Sequence, residues 1–284
     1  METGTLVSTE WLAEHLTAPD LRIVDASWYL PDAKRNPHAE YLREHIPGAA
    51  FLDIDLFSDA ASPYPHMLLA PHEFAARARK LGLGDGHRII VYDTAGLFSA
   101  ARVWWMFKAM GHEDVAVLDG GLPKWKREGR PLDDVVPAHT ARHFTARLNH
   151  ALVRDAGQVS DALKSGKERV VDVRSAERFQ GKAAEPRPGV RAGHMPGAVN
   201  LPYKELITPD GTLLKDKALG KKLAAKGISP DEPIVASCGS GVTAAVLALA
   251  LARLGAKRVS LYDGSWAEWG SRADLPIATG QDSG

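Results

Sequence analysis

The sequence predicts an α/β fold built twice in tandem, each copy a mostly parallel sheet with helices on both faces. Four blocks of the first half recur in the same order in the second: LRIVDASW and ERVVDVRS, EHIPGAAFLDI and GHMPGAVNLPY, RIIVYDTAG and PIVASCGSG, VAVLDGGLPKW and VSLYDGSWAEW. Their offsets of 147, 149, 145 and 144 residues are close to half of the 284-residue chain, which means two copies of a domain and not a stack of short repeats. Within each copy, short Val/Ile-rich runs alternate with helical patterns, the succession of strand and crossover helix that builds a parallel sheet. A composition of 45% hydrophobic and 25% charged residues is that of a globular protein able to bury a sizeable core.

Along the chain, LRIVD is the first clear strand and ends in Asp25; HIPGA is a turn leading into the next. HEFAARARKLGL reads as a helix before the strand RIIVYD, and GLGDGH between them is a turn, since a dinucleotide fingerprint would follow a strand. Periodicity weakens in PLDDVVPAHTARHFTARLNHALV, so the join is placed near residue 147, giving domains 1–147 and 148–284. The second copy repeats the order: a strand ending in Asp172, the turn HMPGA, the helix KALGKKLAAKGI and the buried strand PIVAS. An Ala/Leu-rich helix from Val242 to Leu254 follows and stops at Gly255. The histidines of the two turns, His45 and His194, are read as structural.

Lys plus Arg equals Asp plus Glu at 35 each, so nothing in the balance draws the chain to nucleic acid or to an anionic membrane. The opening METGTLVSTEWLAEHL has neither a basic segment before a long apolar core nor an Arg-rich amphipathic presequence. The longest apolar candidate, AAVLALALARL, is too short to span a membrane. One cysteine in the whole chain suits a reducing compartment, and a cytoplasmic location is expected. Among the eleven histidines only His139 and His143 have H-x-x-x-H spacing, in a stretch where periodicity weakens, and no Cys/His pairing accompanies them, so no metal is expected.

That cysteine, Cys238, falls in a strand-to-helix turn at the carboxyl end of a strand, where open α/β sheets hold ligands. Gly239 and Gly241 allow dihedrals and close approaches that side chains would block. Backbone N–H groups and the helix N-terminus can then converge on an anion held there. An ordinary thiol is about 3% ionised at pH 7, and lowering a thiol's pKa to about 6.5 nets only about threefold in rate once the loss of nucleophilicity is counted. Such a cradle is therefore worth more for stabilising an anionic sulfur intermediate than for ionising the thiol. The matching position of the first copy is Asp93, so one copy carries a nucleophile and the other does not.

CGSGVT (238–243) resembles the active-site loop of the rhodanese superfamily, in the tandem form found in 3-mercaptopyruvate sulfurtransferases. WYLPDAKRNPHAEYLREHIPGAAFLDID and SPYPHMLL also resemble segments of that family. The resemblance implies an inactive first domain and a second that carries sulfur on Cys238 as a persulfide, released to cyanide, a small thiol or thioredoxin, with no metal or organic cofactor. It implies that Arg178 and Arg187 bind a substrate carboxylate, a task suited to guanidinium forks. Gly239, Gly241, Val242 and Thr243 would line the substrate. Thr243 could equally cap the following helix, and Arg174 and Arg191 remain alternatives to the two arginines. Ser240 would act with His66 and Asp55 of the first domain on the departing pyruvate enolate, the first domain supplying one wall of the site.

Thiosulfate sulfurtransfer is the nearest alternative. Relatives using that dianion typically carry basic residues after the cysteine, whereas Gly239 and Ser240 are neutral. A cysteine phosphatase would place an arginine six residues after the cysteine, where this chain has Ala244. A non-catalytic persulfide carrier is a third reading, distinguished by a single turnover.

Overall fold

The structure, a computed structural model, describes residues 4–281. The described chain forms two compact units: one comprises the residues through Asp59, Leu68–Asn149 and Thr208–Leu213, the other Ala60–Met67, His150–Ile207 and Leu214 onward. The chain thus does not divide at a single point, because residues 60–67 go with the second unit and 208–213 with the first.

The first unit runs β1 (Leu6–Val7), α1 (Thr9–His15), β2 (Leu21–Asp25), α2 (Pro37–Arg43), β3 (Ala49–Phe51), α3 (Pro71–Lys80), β4 (Arg88–Tyr92), α4 (Ser99–Ala109), β5 (Val115–Leu118) and α5 (Gly121–Arg127). The second runs β6 (Val153–Arg154), α6 (Ala156–Ser165), β7 (Arg169–Asp172), α7 (Ala176–Phe179), β8 (Val199–Asn200), α8 (Asp216–Ala224), β9 (Ile234–Ser237), α9 (Ala244–Arg253), β10 (Val259–Tyr262) and α10 (Ser265–Trp269). The sheet orders, β1-β5-β4-β2-β3 and β6-β10-β9-β7-β8, are the same order twice, and every pairing is parallel. The tandem α/β fold read from the repeat is therefore present.

Local sequence explains the elements. Side-chain caps start α1, α2 and α6: Ser8 Oγ accepts the Trp11 N–H, Asn36 Oδ1 the Ala39 N–H, and Asp155 forms a capping box with Gln158. Strand residues alternate between faces, and both faces are buried. Ile90 and Tyr92 of β4 pack with Leu12, Tyr41 and Trp125 from α1, α2 and α5, while Ile89 and Val91 lie buried on the other face. In the second unit Val170, Val235 and Tyr262 pack with Val159, Trp266 and Trp269. Helix α9, buried on all sides from Ala244 to Leu251, packs on β9 and β10. The irregular stretch after α5 is pinned to the first unit: Phe144 is buried among Phe74, Phe107 and His112, and Arg147 N–H donates to the Met110 carbonyl.

In both copies the turn histidine is a core residue. His45 Nδ1 donates to the Tyr41 carbonyl and the ring stacks on Tyr41; His194 Nδ1 donates to the Phe179 carbonyl and its ring stacks on Phe179. The two units also pair β2 with β4 and β7 with β9 in parallel, from Leu21↔Arg88 and Arg169↔Ile234 to Asp25↔Tyr92 and Asp172↔Ser237. This is the switch point of each sheet, so the loops after β4 and β9 open where ligands sit in such folds.

Candidate active site

Cys238 follows β9 directly and is buried. Gly241 takes a φ of +77°, which turns the loop into α9, and Thr243 is the residue before the helix but forms no side-chain cap. The loop is held from α10: Trp266 and Ala267 N–H donate to the carbonyls of Cys238 and Gly239 at 2.9 and 2.8 Å. Because C=O and N–H point oppositely across a trans peptide, this directs the N–H groups of Gly239 and Ser240 away from α10. Cys238 N–H donates to Ser265 Oγ at 3.3 Å, and that hydroxyl donates to the Tyr262 carbonyl at 2.8 Å. Ser265 holds a φ of +47°, uncommon for a residue with a side chain.

The first unit shows the same loop carrying a carboxylate. Asp93 is buried and accepts N–H from Ala95, Phe98 and Ala100 at 2.9, 2.8 and 2.8 Å, and Gly96 has the positive φ of Gly241. Burial pushes the Asp93 carboxyl up, against the pull of these amides. Gly121, which matches Ser265 at the offset of 144, has a φ of +51°, and a Cβ there would sit 2.4 Å from the Asp93 carbonyl oxygen. The second copy accepts a serine at that position and uses its hydroxyl to receive the Cys238 N–H.

Ser240, two residues after Cys238, has its Oγ 2.9 Å from His66 Nδ1, with Arg187 Nη2 donating from 3.5 Å. His66 is buried and sits at a φ of +61°; its segment, 60–67, belongs to the second unit. Asp55 belongs to the first unit, where its carboxylate accepts the Trp28 Nε1–H at 3.2 Å.

Arg178, on α7, packs its guanidinium against Gly239: a Cβ at residue 239 would lie 3.1 Å from Nη2. Gly239 is thus small because a cation lies over it. Glu185, 3% exposed, accepts Arg178 Nη2–H at 2.5 Å and Arg174 Nη1–H at 2.8 Å. Arg174 is committed further, to Asp172 at 2.7 Å, to the Gly193 carbonyl and to the face of Trp266, all within the core. Burial opposes its charge, but Asp172 and Glu185 hold it above its ordinary pKa. Arg191 donates to the carbonyls of Trp269, Gly270, Arg272 and Leu275. Both alternatives to Arg178 and Arg187 are therefore engaged in holding the fold.

Two site residues escaped the sequence reading. Glu185 lies in a loop without periodicity, and nothing in AAEPRPGV marks a buried carboxylate. Ser265 had a signal, the exchange of Gly for Ser between LDGG and YDGS in the repeat. Among the described residues no group of three or more His, Cys, Asp or Glu side chains could hold a metal ion, and no helix is long and apolar enough to cross a membrane.

The family model for the rhodanese-like domain matches residues 8–128 and again 155–272. The chain is 45% identical over 278 residues to the 3-mercaptopyruvate sulfurtransferase of Escherichia coli K12, covering 98% of this chain and 99% of that protein. It is 43% identical to thiosulfate/3-mercaptopyruvate sulfurtransferase 1, mitochondrial, of Arabidopsis thaliana, covering 98% and 79%. The crystal structure of Escherichia coli SseA, described as a 3-mercaptopyruvate sulfotransferase of rhodanese fold, superposes with a TM-score of 0.85 at 42% identity, covering 93% of this chain and 99% of that one. A match of the family model to each half, joined to identity above 40% over nearly the whole length, leaves one conclusion: the chain belongs to the rhodanese family, with two rhodanese-like domains in tandem.

Proposed function

We propose that the chain is a 3-mercaptopyruvate sulfurtransferase whose first domain, ending near residue 147, is catalytically silent. The Cys238 thiolate attacks the substrate sulfur, an S–S bond forms, and the C–S bond breaks with its electron pair passing to carbon. The product is a persulfide on Cys238 and the enolate of pyruvate, which takes up one proton. A second thiolate then attacks the outer sulfur and restores Cys238. The two half-reactions share one enzyme form, so the kinetics are ping-pong.

The carrying observation is the contact of Ser240 Oγ with His66 Nδ1 at 2.9 Å. An enolate leaving group needs a proton and sulfite leaving from thiosulfate does not, so a hydroxyl–imidazole pair on the cysteine loop favours mercaptopyruvate. Arg178 and Arg187 are assigned to the carboxylate, and Gly239, Gly241, Val242 and Thr243 to the wall around the reacting sulfur. Asp55 enters through the family resemblance alone, and Asp55→Asn tests it. Cyanide, small thiols and thioredoxin are the proposed acceptors, and the cytoplasm the proposed location.

The test compares initial rates with mercaptopyruvate and thiosulfate at equal acceptor concentration. The expected result is faster turnover with mercaptopyruvate, parallel double-reciprocal lines, and one added sulfur on Cys238 by intact mass spectrometry. Faster turnover with thiosulfate overturns the assignment of the donor, and a halt after one sulfur per chain makes the protein a carrier.

A further inference from the structure

A cavity lies in the first unit, at the carboxyl end of its sheet and beside the loop that carries Asp93. Its volume is about 330 Å³, and Thr94 of that loop forms part of its wall. We propose that it binds a small organic dianion, a dicarboxylate or a phosphate monoester.

The position is the first requirement. The cavity occupies the β4/β2 switch point, the place that the candidate active site occupies in the second unit. The inner ring of amides is already filled here by the carboxylate of Asp93, so an incoming anion must be met by side chains.

Those side chains are present. Arg35, Arg43, Lys126 and Arg127 line the cavity with two carboxylates, Glu40 and Glu44. Glu40 is taken by Arg35 at 2.7 Å and by the Tyr29 hydroxyl at 2.5 Å, and Glu44 by Lys126 at 2.5 Å. Arg43 and Arg127 have no carboxylate within ion-pair distance among the described residues. Arg127 is oriented by a 2.9 Å hydrogen bond from Nη2 to the Asp210 carbonyl, while the Asp210 carboxylate accepts from the hydroxyls of Thr208 and Thr212. The lining sets four cations against two carboxylates, with the Asp210 carboxylate also in the field of Arg127, so a positive excess remains for an anion, and the guanidinium forks suit carboxylate or phosphate oxygens. Leu122 and Pro123 add an apolar wall for a carbon skeleton, and the volume is at the lower end for small-molecule pockets.

The charges are not a by-product of the repeat. Arg43 matches Ala192 at the offset of 149, and Lys126 and Arg127 match Gly270 and Ser271 at 144. The second copy carries none of these cations at the matching positions, where residue 192 lies in a loop and residues 270 and 271 follow the end of α10.

The test is calorimetric titration of the full-length chain with succinate and, separately, with glycerol 3-phosphate. At least one is expected to bind one-to-one with a Kd below about 1 mM. Saturation by succinate alone identifies the dicarboxylate, and by glycerol 3-phosphate alone the phosphate monoester. Arg43→Ala, an exposed side chain, should weaken binding roughly tenfold and Arg43→Ala with Arg127→Ala roughly a hundredfold. Arg178→Ala should leave the affinity unchanged. Failure of both probes to bind at about 10 mM, wild-type affinity in Arg43→Ala, or loss of binding in Arg178→Ala overturns the proposal.

Discussion

His66 and Ser240, 174 positions apart in sequence, meet through Nδ1 and Oγ at 2.9 Å on the loop that carries Cys238. If this pair delivers the proton that converts an enolate to pyruvate, its loss must depend on the leaving group. Ser240→Ala and His66→Ala are each expected to lower kcat with mercaptopyruvate roughly a hundredfold. With thiosulfate, whose sulfite needs no proton, both should stay within about threefold of wild type. Equal losses on the two donors in steady-state assays would show that the pair only shapes the loop.

Arg178 is held over Gly239 by Glu185, which accepts from its Nε and Nη2. Arg178→Ala and Arg187→Ala should raise KM for mercaptopyruvate far more than for thiosulfate, since only the first donor carries a carboxylate. Glu185→Gln keeps an acceptor but removes the charge that fixes the guanidinium, and KM for mercaptopyruvate should rise roughly tenfold while kcat changes little. Glu185→Ala is the harsher change: it leaves two guanidinium groups without their shared buried carboxylate, at about 3–5 kcal/mol. An unchanged KM in a folded Glu185→Gln protein would limit Glu185 to a structural part.

Much of this was legible in the sequence because the chain states its plan twice. Strand positions, the parallel order and the Cys238 loop follow from apolar runs and glycines that recur at fixed offsets. The unreadable parts depend on tertiary closure. Arg174, Arg178 and Arg191 look alike in sequence, and only the fold shows that Arg174 is buried on Asp172 while Arg191 binds carbonyls near the end of α10. Glu185 pairs with residues seven and eleven positions away, spacings that would signal a shared face only in a continuous helix, and the chain leaves helix at Phe179. The placement of 60–67 with the second unit and 208–213 with the first was equally hidden, since neither segment has a period to read.

Ser265 and Gly121 hold the same left-handed backbone in the two copies, so Ser265→Gly keeps a backbone the fold already builds with glycine while removing the hydroxymethyl group. Glycine relieves a positive-φ cost of about 1 kcal/mol. It also deletes the acceptor of the Cys238 N–H and the donor to the Tyr262 carbonyl, a loss of about 1–2 kcal/mol. The gain offsets most of the loss, so the thermal midpoint should fall only slightly, whereas the cysteine loop loses a tether and kcat should fall about tenfold. A variant as active as wild type would remove Ser265 from the machinery of the loop.

Asp25 and Asp172 end equivalent strands, but Asp172 has Arg174 two residues on and Asp25 has Ser27. Without a cation, burial pushes the Asp25 carboxyl up to about 6, against hydrogen bonds from Ser27 and Tyr92. The folded protein therefore takes up this proton near pH 6, while the unfolded chain does so only near the ordinary value of about 4. Between these limits the folded state binds more protons, so the cost of the buried charge grows as pH rises and is complete above about 6. Asp25→Asn should then stabilise the protein at pH 7.5 by up to about 3 kcal/mol, a gain that fades at pH 5. Burial lowers the pKa of His87, His112 and His139 in the same unit, which erodes stability as pH falls below their ordinary value. That erosion is common to wild type and variant and cancels in their difference. Asp172→Asn should do the opposite, costing about 3–5 kcal/mol by leaving Arg174 short of its buried partner. Urea midpoints of the three proteins at both pH values decide the matter: an Asp25→Asn protein less stable than wild type at pH 7.5 would mean that the buried carboxylate is held by more than the hydrogen bonds of Ser27 and Tyr92.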